Sequence, residues 1–329
     1  MKRNKMMLLA FLTAAAFLLC IGAGAVAITP ADMLELFMGG GKASFRNILL
    51  HVRIPRVIAC GLAGAGLASA GVLIQNVLQN PLASPNIIGV NAGAGLGVVL
   101  CSALFPMSYY MVPAAAFAGA LGATLFIFLL AKKTGASRMT LILAGVCANS
   151  FLNAAADVVH TLQEDTLTGT YAFRLGGFTS VTGRILLPAG VLIVLVILLV
   201  CLLSDELEVL SLGEPVAKGI GLSVGRYQFL FLVLASALAG ASVSFAGLLG
   251  FVGLIAPHIA RRLVGEECRY LLPFSALFGA FFVMVCDLAA RTLFAPYEIP
   301  TGIILSFVGA PFFLWLLFQG NGRRNGDGM

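Results

Sequence analysis

Long apolar blocks alternate with short polar ones along this chain, and within each block the apolar residues occupy every face of a helix. Leu186 to Leu203 shows the pattern, with no charged side chain anywhere in it. A bilayer hydrocarbon core about 30 Å thick takes roughly 17–25 residues of α-helix. Windows of that size predict spans at 7–28, 57–79, 86–105, 110–131, 139–160, 185–203, 227–246, 247–262, 271–292 and 300–318. A transmembrane β-barrel would show segments of about ten residues alternating apolar with polar, and these blocks do not alternate. The pattern therefore predicts an all-α polytopic membrane protein of about ten transmembrane helices in one bundle. The eighth block is unusual, being short and ending in Pro257, His258, Arg261 and Arg262.

Composition agrees. Sixty per cent of the 329 residues are hydrophobic and 10% charged, a balance that excludes a water-soluble domain. Lys2, Arg3 and Lys5 before an apolar run ending at Ala23-Gly24-Ala25-Val26-Ala27 resemble a signal peptide, but the run is about 22 residues against the usual 7–15 of a signal core, so it is read as span 1. With the N-terminus inside, thirteen cations fall on the inner side (Lys2, Arg3, Lys5, Lys132, Lys133, Arg138, Lys218, Arg226, Arg261, Arg262, Arg269, Arg323, Arg324). Seven fall outside (Lys42, Arg46, Arg53, Arg56, Arg174, Arg184, Arg291). That excess predicts both termini on the cytoplasmic face. The net charge of +6 is then a topology signal and implies no nucleic-acid partner. Six of the seven cysteines lie within apolar spans and none has C-x-x-C spacing, so they read as packing residues with no disulfide and no iron–sulfur site.

No linker divides the chain, and residues 1–329 are read as a single transmembrane domain. Two connections are long, 29–52 outside and 204–226 inside. In the second, Glu214 and Pro215 suit a helix start and Gly219 and Gly221 a helix stop. Span 2 carries Gly61, Ala65 and Ser69 at four-residue spacing, and span 7 carries Ser236, Gly240 and Ser244. Small residues at this interval allow close helix packing in lipid, and the paired stripes sketch an inverted repeat, although small residues are common in membrane helices generally.

Catalytic chemistry is not visible. Gly39-Gly40-Gly41-Lys42-Ala43-Ser44 fails as a phosphate loop, because Leu36 stands where the first Gly belongs and Ala43 where Ser or Thr would hold magnesium. His51, His160 and His258 form no H-E-x-x-H or Cys/His cluster. Asp157, His160 and Glu164 share a helical face and sketch a metal site. Two carboxylates and one imidazole at a water interface are more simply a solvated helix end, so no metal site is predicted. Arg53 and Arg56 flank Pro55 at the start of span 2, and Arg291 ends span 9. Such arginines either snorkel to the interface or form an electropositive rim facing carboxylates of a soluble partner. Asp287, the one acid deep in span 9, lies one turn from Arg291, and an ion pair that positions the arginine is the simpler account than a functional carboxylate.

Gly247 to Arg262, Arg53-Ile54-Pro55-Arg56 and Asn80-Pro81-Leu82-Ala83 together resemble the FecCD-type permeases, the membrane subunits of ABC importers for ferric siderophores, haem and cobalamin. Leu143-Ala144-Gly145-Val146, Asp287 to Arg291, Ile299-Pro300-Thr301-Gly302 and Gly309-Ala310-Pro311-Phe312 extend the resemblance to essentially the whole chain after span 1. Phe173 stands before Gly176-Gly177 where the family often has Trp, and Ile299 where Leu is usual. The resemblance implies that Arg53, Arg56 and Arg291 receive glutamates of an extracytoplasmic substrate-binding protein. It also implies that the 204–226 connection forms short coupling helices seated on an ATPase subunit, through Gly213, Glu214, Ala217, Lys218 and Gly221. Helices 5 and 10 would line a pathway between two permease subunits, identical or related, and Ser137 and Thr140 would form an inner gate.

This chain would then bind no cofactor and perform no catalysis, ATP being hydrolysed on separate subunits. The expected cargo is a ferric siderophore, with haem or cobalamin next, moved by alternating access across a bacterial cell membrane. The alternatives are a metal-ion ABC permease and an ion-coupled secondary transporter. The latter needs broken helices and coupling acids at the midplane, for which Asp287 alone is thin support. A membrane enzyme would need a catalytic constellation that is not visible.

Overall fold

The computed structural model describes residues 1–24, 43–106, 110–133 and 138–324. Every regular element among them is helical: α1 (Lys2–Gly22), α2 (Ala43–Ile48), a π-helical turn (Leu49–Arg53), α3 (Ile54–Leu78), α4 (Val90–Leu104), α5 (Met111–Lys133), α6 (Arg138–Leu162), α7 (Asp165–Leu175), α8 (Gly183–Leu202), α9 (Ser204–Ser211), α10 (Glu214–Gly219), α11 (Val224–Ala246), α12 (Val252–Val264), α13 (Cys268–Thr292) and α14 (Thr301–Arg324). Each predicted span coincides with one of these, in order α1, α3, α4, α5, α6, α8, α11, α12, α13 and α14. Among the described residues seven stretches are long and apolar enough to cross a bilayer, and α4 and the Thr301–Leu316 part of α14 are shorter apolar helices. Helix α12 has 13 residues, about 20 Å at 1.5 Å per residue, and does not cross on its own.

Three differences from the predicted elements have physical causes. The second span starts earlier, as one continuous stretch from Phe45 to Leu78. Pro55 has no N–H for the carbonyl one turn back, and the π-helical turn Leu49–Arg53 widens the ladder where that bond is missing. The eighth block is not helical from its start. Gly247 (φ 70°) and Phe251 (φ 65°) take left-handed backbone, and α12 begins only at Val252. The 161–184 connection holds a helix, α7, that the apolar pattern does not show because it is only 11 residues long and carries Asp165, three threonines and Arg174.

Helices α3 and α11 form the buried centre and pack on each other, α3 also on α13 and α11 also on α5. Their approach is set by glycine. A Cβ at Gly64 would fall 2.1 Å from the Gly279 carbonyl oxygen, so α3 and α13 touch backbone to backbone. The small-residue stripe at Gly61, Ala65 and Ser69 is not the contact line: Gly61 faces open space, and the close contacts lie at Gly64, Gly66 and Gly71. On α11, Gly240 packs on Phe117 and Ala120 of α5.

The bundle has two distinct ends. Lys5 donates to the Leu263 carbonyl (2.7 Å), which places the finish of α12 beside the start of α1. Arg53 donates to the carbonyls of Ile21 (2.8 Å) and Gly22 (2.7 Å), which places the opposite end of α1 beside the start of α3.

Candidate functional site

At the second of these ends the three predicted arginines are brought together, inside the protein rather than on its surface. Arg53, Arg56 and Arg291 are 5%, 6% and 3% exposed. Arg56 donates through Nε and Nη2 to Asp287 (3.0–3.2 Å) and through Nη1 to Glu298 (2.7 Å). The predicted Asp287–Arg291 ion pair is present at 3.0 Å. Arg291 also donates to the carbonyls of Ala23 (3.2 Å) and Cys20 (3.1 Å), and Thr301 donates to Asp287 (2.9 Å). Arg53 and Arg291 thus satisfy carbonyls at the finish of α1 that have no intrahelical partner, while Asp287 supplies the counter-charge that buried guanidiniums need. Glu298, one-third exposed at its side chain, was not singled out from the sequence; its signal is that no other acid lies between Asp287 and the end of α14.

Arg56 and Glu298 border a cavity of about 320 Å³ whose wall includes Phe173, Gly176, Phe178 and Ser244. Beside it three chain segments are joined by backbone hydrogen bonds: Leu248 N–H to Phe173 O (2.9 Å), Gly177 N–H to Ala246 O (2.8 Å) and Gly302 N–H to Gly176 O (3.0 Å). These bonds satisfy the backbone that leaves the helix between α11 and α12. Gly309 of α14 lies against the Phe251 ring, where a Cβ would come within 2.3 Å.

At the opposite end the predicted coupling segment forms two short helices, α9 and α10. Gly213 (φ 110°) joins them and Gly221 (φ 91°) closes the second, conformations that favour glycine. Ala217 is buried, and Glu214 and Lys218 form an exposed i,i+4 ion pair at 2.8 Å. The outward face is shifted by one residue from the small-residue run. Leu212, Val216 and Ile220 are 60%, 46% and 64% exposed at four-residue intervals, a periodicity readable in the sequence but not singled out there. The Gln79 amide at the end of α3 donates to the carbonyls of Leu210 (3.2 Å) and Ser211 (3.0 Å). Arg261 of α12 bonds Gln75 and Asn76, and Glu208 of α9 accepts from the Cys268 N–H (3.1 Å). The α9–α10 pair is therefore fastened to α3, whose other end holds Arg56.

Ser137 lies outside the described residues, as does most of the Gly39–Ser44 segment. Thr140 is half-buried in the first turn of α6. The Asp157, His160 and Glu164 grouping is not assembled: His160 is buried with its Nδ1 2.8 Å from the Thr166 hydroxyl, while Asp157 and Glu164 are exposed. No metal-holding cluster occurs among the described residues.

Irregular backbone deep in an apolar bundle is tolerated only where protein or a water-filled passage surrounds it, and this is the architecture of a multi-pass membrane transport protein. Residues 12–319 match the FecCD transport family, and the chain belongs to that family of transport permeases. It is 38% identical to the Fe(3+)-citrate import system permease protein YfmE of Bacillus subtilis, covering 96% of each chain. It is 32% identical to the hemin transport system permease protein HmuU of Yersinia pestis, over 97% of this chain and 98% of that one. A solved structure described as an inward-facing conformation of a metal-chelate type ABC transporter superposes with a TM-score of 0.87 at 29% identity, covering 96% of this chain and 99% of that one.

Proposed function

We propose that this chain is the permease of an ATP-driven importer that carries a ferric siderophore, or failing that haem or cobalamin, into a bacterial cytoplasm by alternating access. The full-length likeness to a metal-chelate ABC transporter carries this reading. One ATPase subunit of the two seats against Leu212, Val216 and Ile220 of each permease, an exposed apolar face of the kind that marks a protein contact. Gln79 and Arg261 pass their movement to α3 and α12. Under this reading the α9–α10 end and both termini are cytoplasmic. The arginine end then faces outward, where three guanidiniums against Asp287 and Glu298 leave a positive excess that draws acidic lobes of a binding protein. A second permease, identical or related, completes the passage along α6 and α14, with Ser137 and Thr140 at its inner gate. ATP is held and hydrolysed by the partner subunits.

The test is uptake of labelled ferric siderophores, haem, cobalamin and free divalent metals by cells with and without this chain. Loss of one chelate class, with vanadate inhibition, is the expected result. Loss of free zinc or manganese uptake instead points to a metal-ion permease, and vanadate-resistant uptake abolished by collapse of the proton gradient points to a secondary transporter.

A further inference from the structure

Helix α6 is at once the least buried and the least apolar of the long spans. Only 17% of its central window is buried, and its mean hydropathy is 1.5. Helix α8 is almost as open at 28% buried, but its mean hydropathy is 3.3, which suits contact with lipid. Lipid against every open face of α6 would strand polar side chains in hydrocarbon.

Those side chains fall on one strip. Ser150, Asn153, Asp157 and Thr161 are all exposed and lie within about 80° of arc, over about 17 Å of helix. Ser150 and Thr161 return their hydroxyls to the carbonyls of Val146 (3.2 Å) and Asp157 (2.8 Å). The Asn153 amide and the Asp157 carboxylate have no side-chain partner among the described residues. The exposed apolar side chains Phe151 and Val158 sit roughly a quarter turn away. The packed side is a third one, where Asn149 donates to the Asn86 carbonyl (2.7 Å) and His160 is buried. Over residues 150–161 helix α6 thus has a packed side, a lipid-compatible side and a polar side that none of the described residues covers, while the same arc nearer Arg138 carries the exposed Leu143 and Val146.

Asp157 is the only Asp, Glu, Lys or Arg between residues 140 and 162. Residues 301–318 of α14 carry none at all. Beyond Asp157 the charges up to the end of α7 are Glu164, Asp165 and Arg174, so the carboxylates outnumber the one guanidinium.

With α6 on the passage as proposed above, we infer that its Ser150–Thr161 face is the part that meets water, and that Asp157 makes the outer part of the passage favour neutral or cationic ferric chelates over polyanionic ones. This rests on the importer reading above. Two unit charges in contact in water change an equilibrium by roughly fivefold, so a trianionic complex meets a larger barrier than a neutral one. The effect is present with one Asp157 per transporter and grows with two.

The test uses the assembled importer in proteoliposomes. In a Cys147→Ala background, Asn153→Cys is exposed to a cationic and an anionic methanethiosulfonate, with Ala154→Cys as a second site on the same face. The cationic reagent is expected to react faster by roughly tenfold, relative to the same pair on a free thiol, because Asp157 about 6 Å away attracts one reagent and repels the other, and Asp157→Asn to remove that preference. Unreactive thiols at both sites, with Leu162→Cys at the open end of α6 reacting, overturn the inference. So does reaction with the same charge preference whether or not Asp157 is present. A second readout is the uptake ratio of a cationic ferric trihydroxamate over a trianionic ferric tricatecholate, delivered by one binding protein. It should fall by at least about fivefold in Asp157→Asn, since the two chelates differ by four unit charges, and an unchanged ratio overturns the charge filter. Absence of ATP-driven uptake of any ferric chelate, alongside the expected thiol pattern, sinks the importer reading and leaves the charged passage standing.

Discussion

Asp287 holds the charge balance of the arginine end, meeting Arg56, Arg291 and Thr301 while only 1% exposed. Removing one partner of a buried ion pair costs about 3–5 kcal/mol, so Asp287→Ala should leave little folded protein in the membrane. Thr301→Val removes one hydrogen bond to a charged group, about 1.5–3 kcal/mol, and should give a smaller loss. Fluorescence-detected size exclusion with a thermal ramp measures both; equal losses would show that Asp287 is not the centre of the cluster. Arg53 has a different role, because the partners it shows are carbonyls of α1. Arg53→Gln keeps a donor while removing a positive charge, and should weaken capture of the binding protein by the nanodisc-embedded importer. Unchanged affinity would remove Arg53 from the docking assignment. The Asp287–Arg291 pair was legible in the sequence because four-residue spacing puts both on one face. Arg56 was not legible as their partner, since 231 positions separate it from Asp287 and only packing of α3 on α13 joins them.

Packing of elements turns on glycines that the sequence points to only approximately. The four-residue stripe of α3 marks Gly61, but the backbone contact with α13 is at Gly64. Gly64→Val should destabilise the bundle by about 1–3 kcal/mol through overpacking, whereas Gly61→Val enters open space and should be tolerated. The reverse order in thermal stability would mean that the stripe is the true seam. The α9–α10 pair shows the same offset. Its glycines were legible because tight turns need them, but the side chains that project are Leu212, Val216 and Ile220. Changing all three to Ser should abolish co-purification of the ATPase subunits and ATP-dependent uptake while leaving the melting temperature of the permease nearly unchanged. Retained co-purification would place the ATPase contact elsewhere. Helix α7 escaped the apolar pattern altogether, because 11 residues that include Asp165, three threonines and Arg174 have neither the length nor the hydropathy of a span.

At the scale of the whole molecule, the proposed orientation puts Lys218 and Tyr297, both exposed, on opposite sides of the membrane. A membrane-impermeant maleimide should label Tyr297→Cys from outside and Lys218→Cys only after permeabilisation; labelling of both from outside would invert the topology. The order and approximate extent of the ten apolar helices were determined by the sequence itself, because lipid offers the backbone no hydrogen bonds and each span must satisfy its own. That requirement is local, so it is written in consecutive residues. Tertiary structure alone decided that residues 247–251 leave the helix, since their backbone groups depend on Phe173 and neighbouring segments for partners. It also decided that the three arginines turn inward and that α6 keeps a polar side that none of the described residues covers. Those outcomes depend on groups far apart in the chain, and only packing brings such groups within reach of one another.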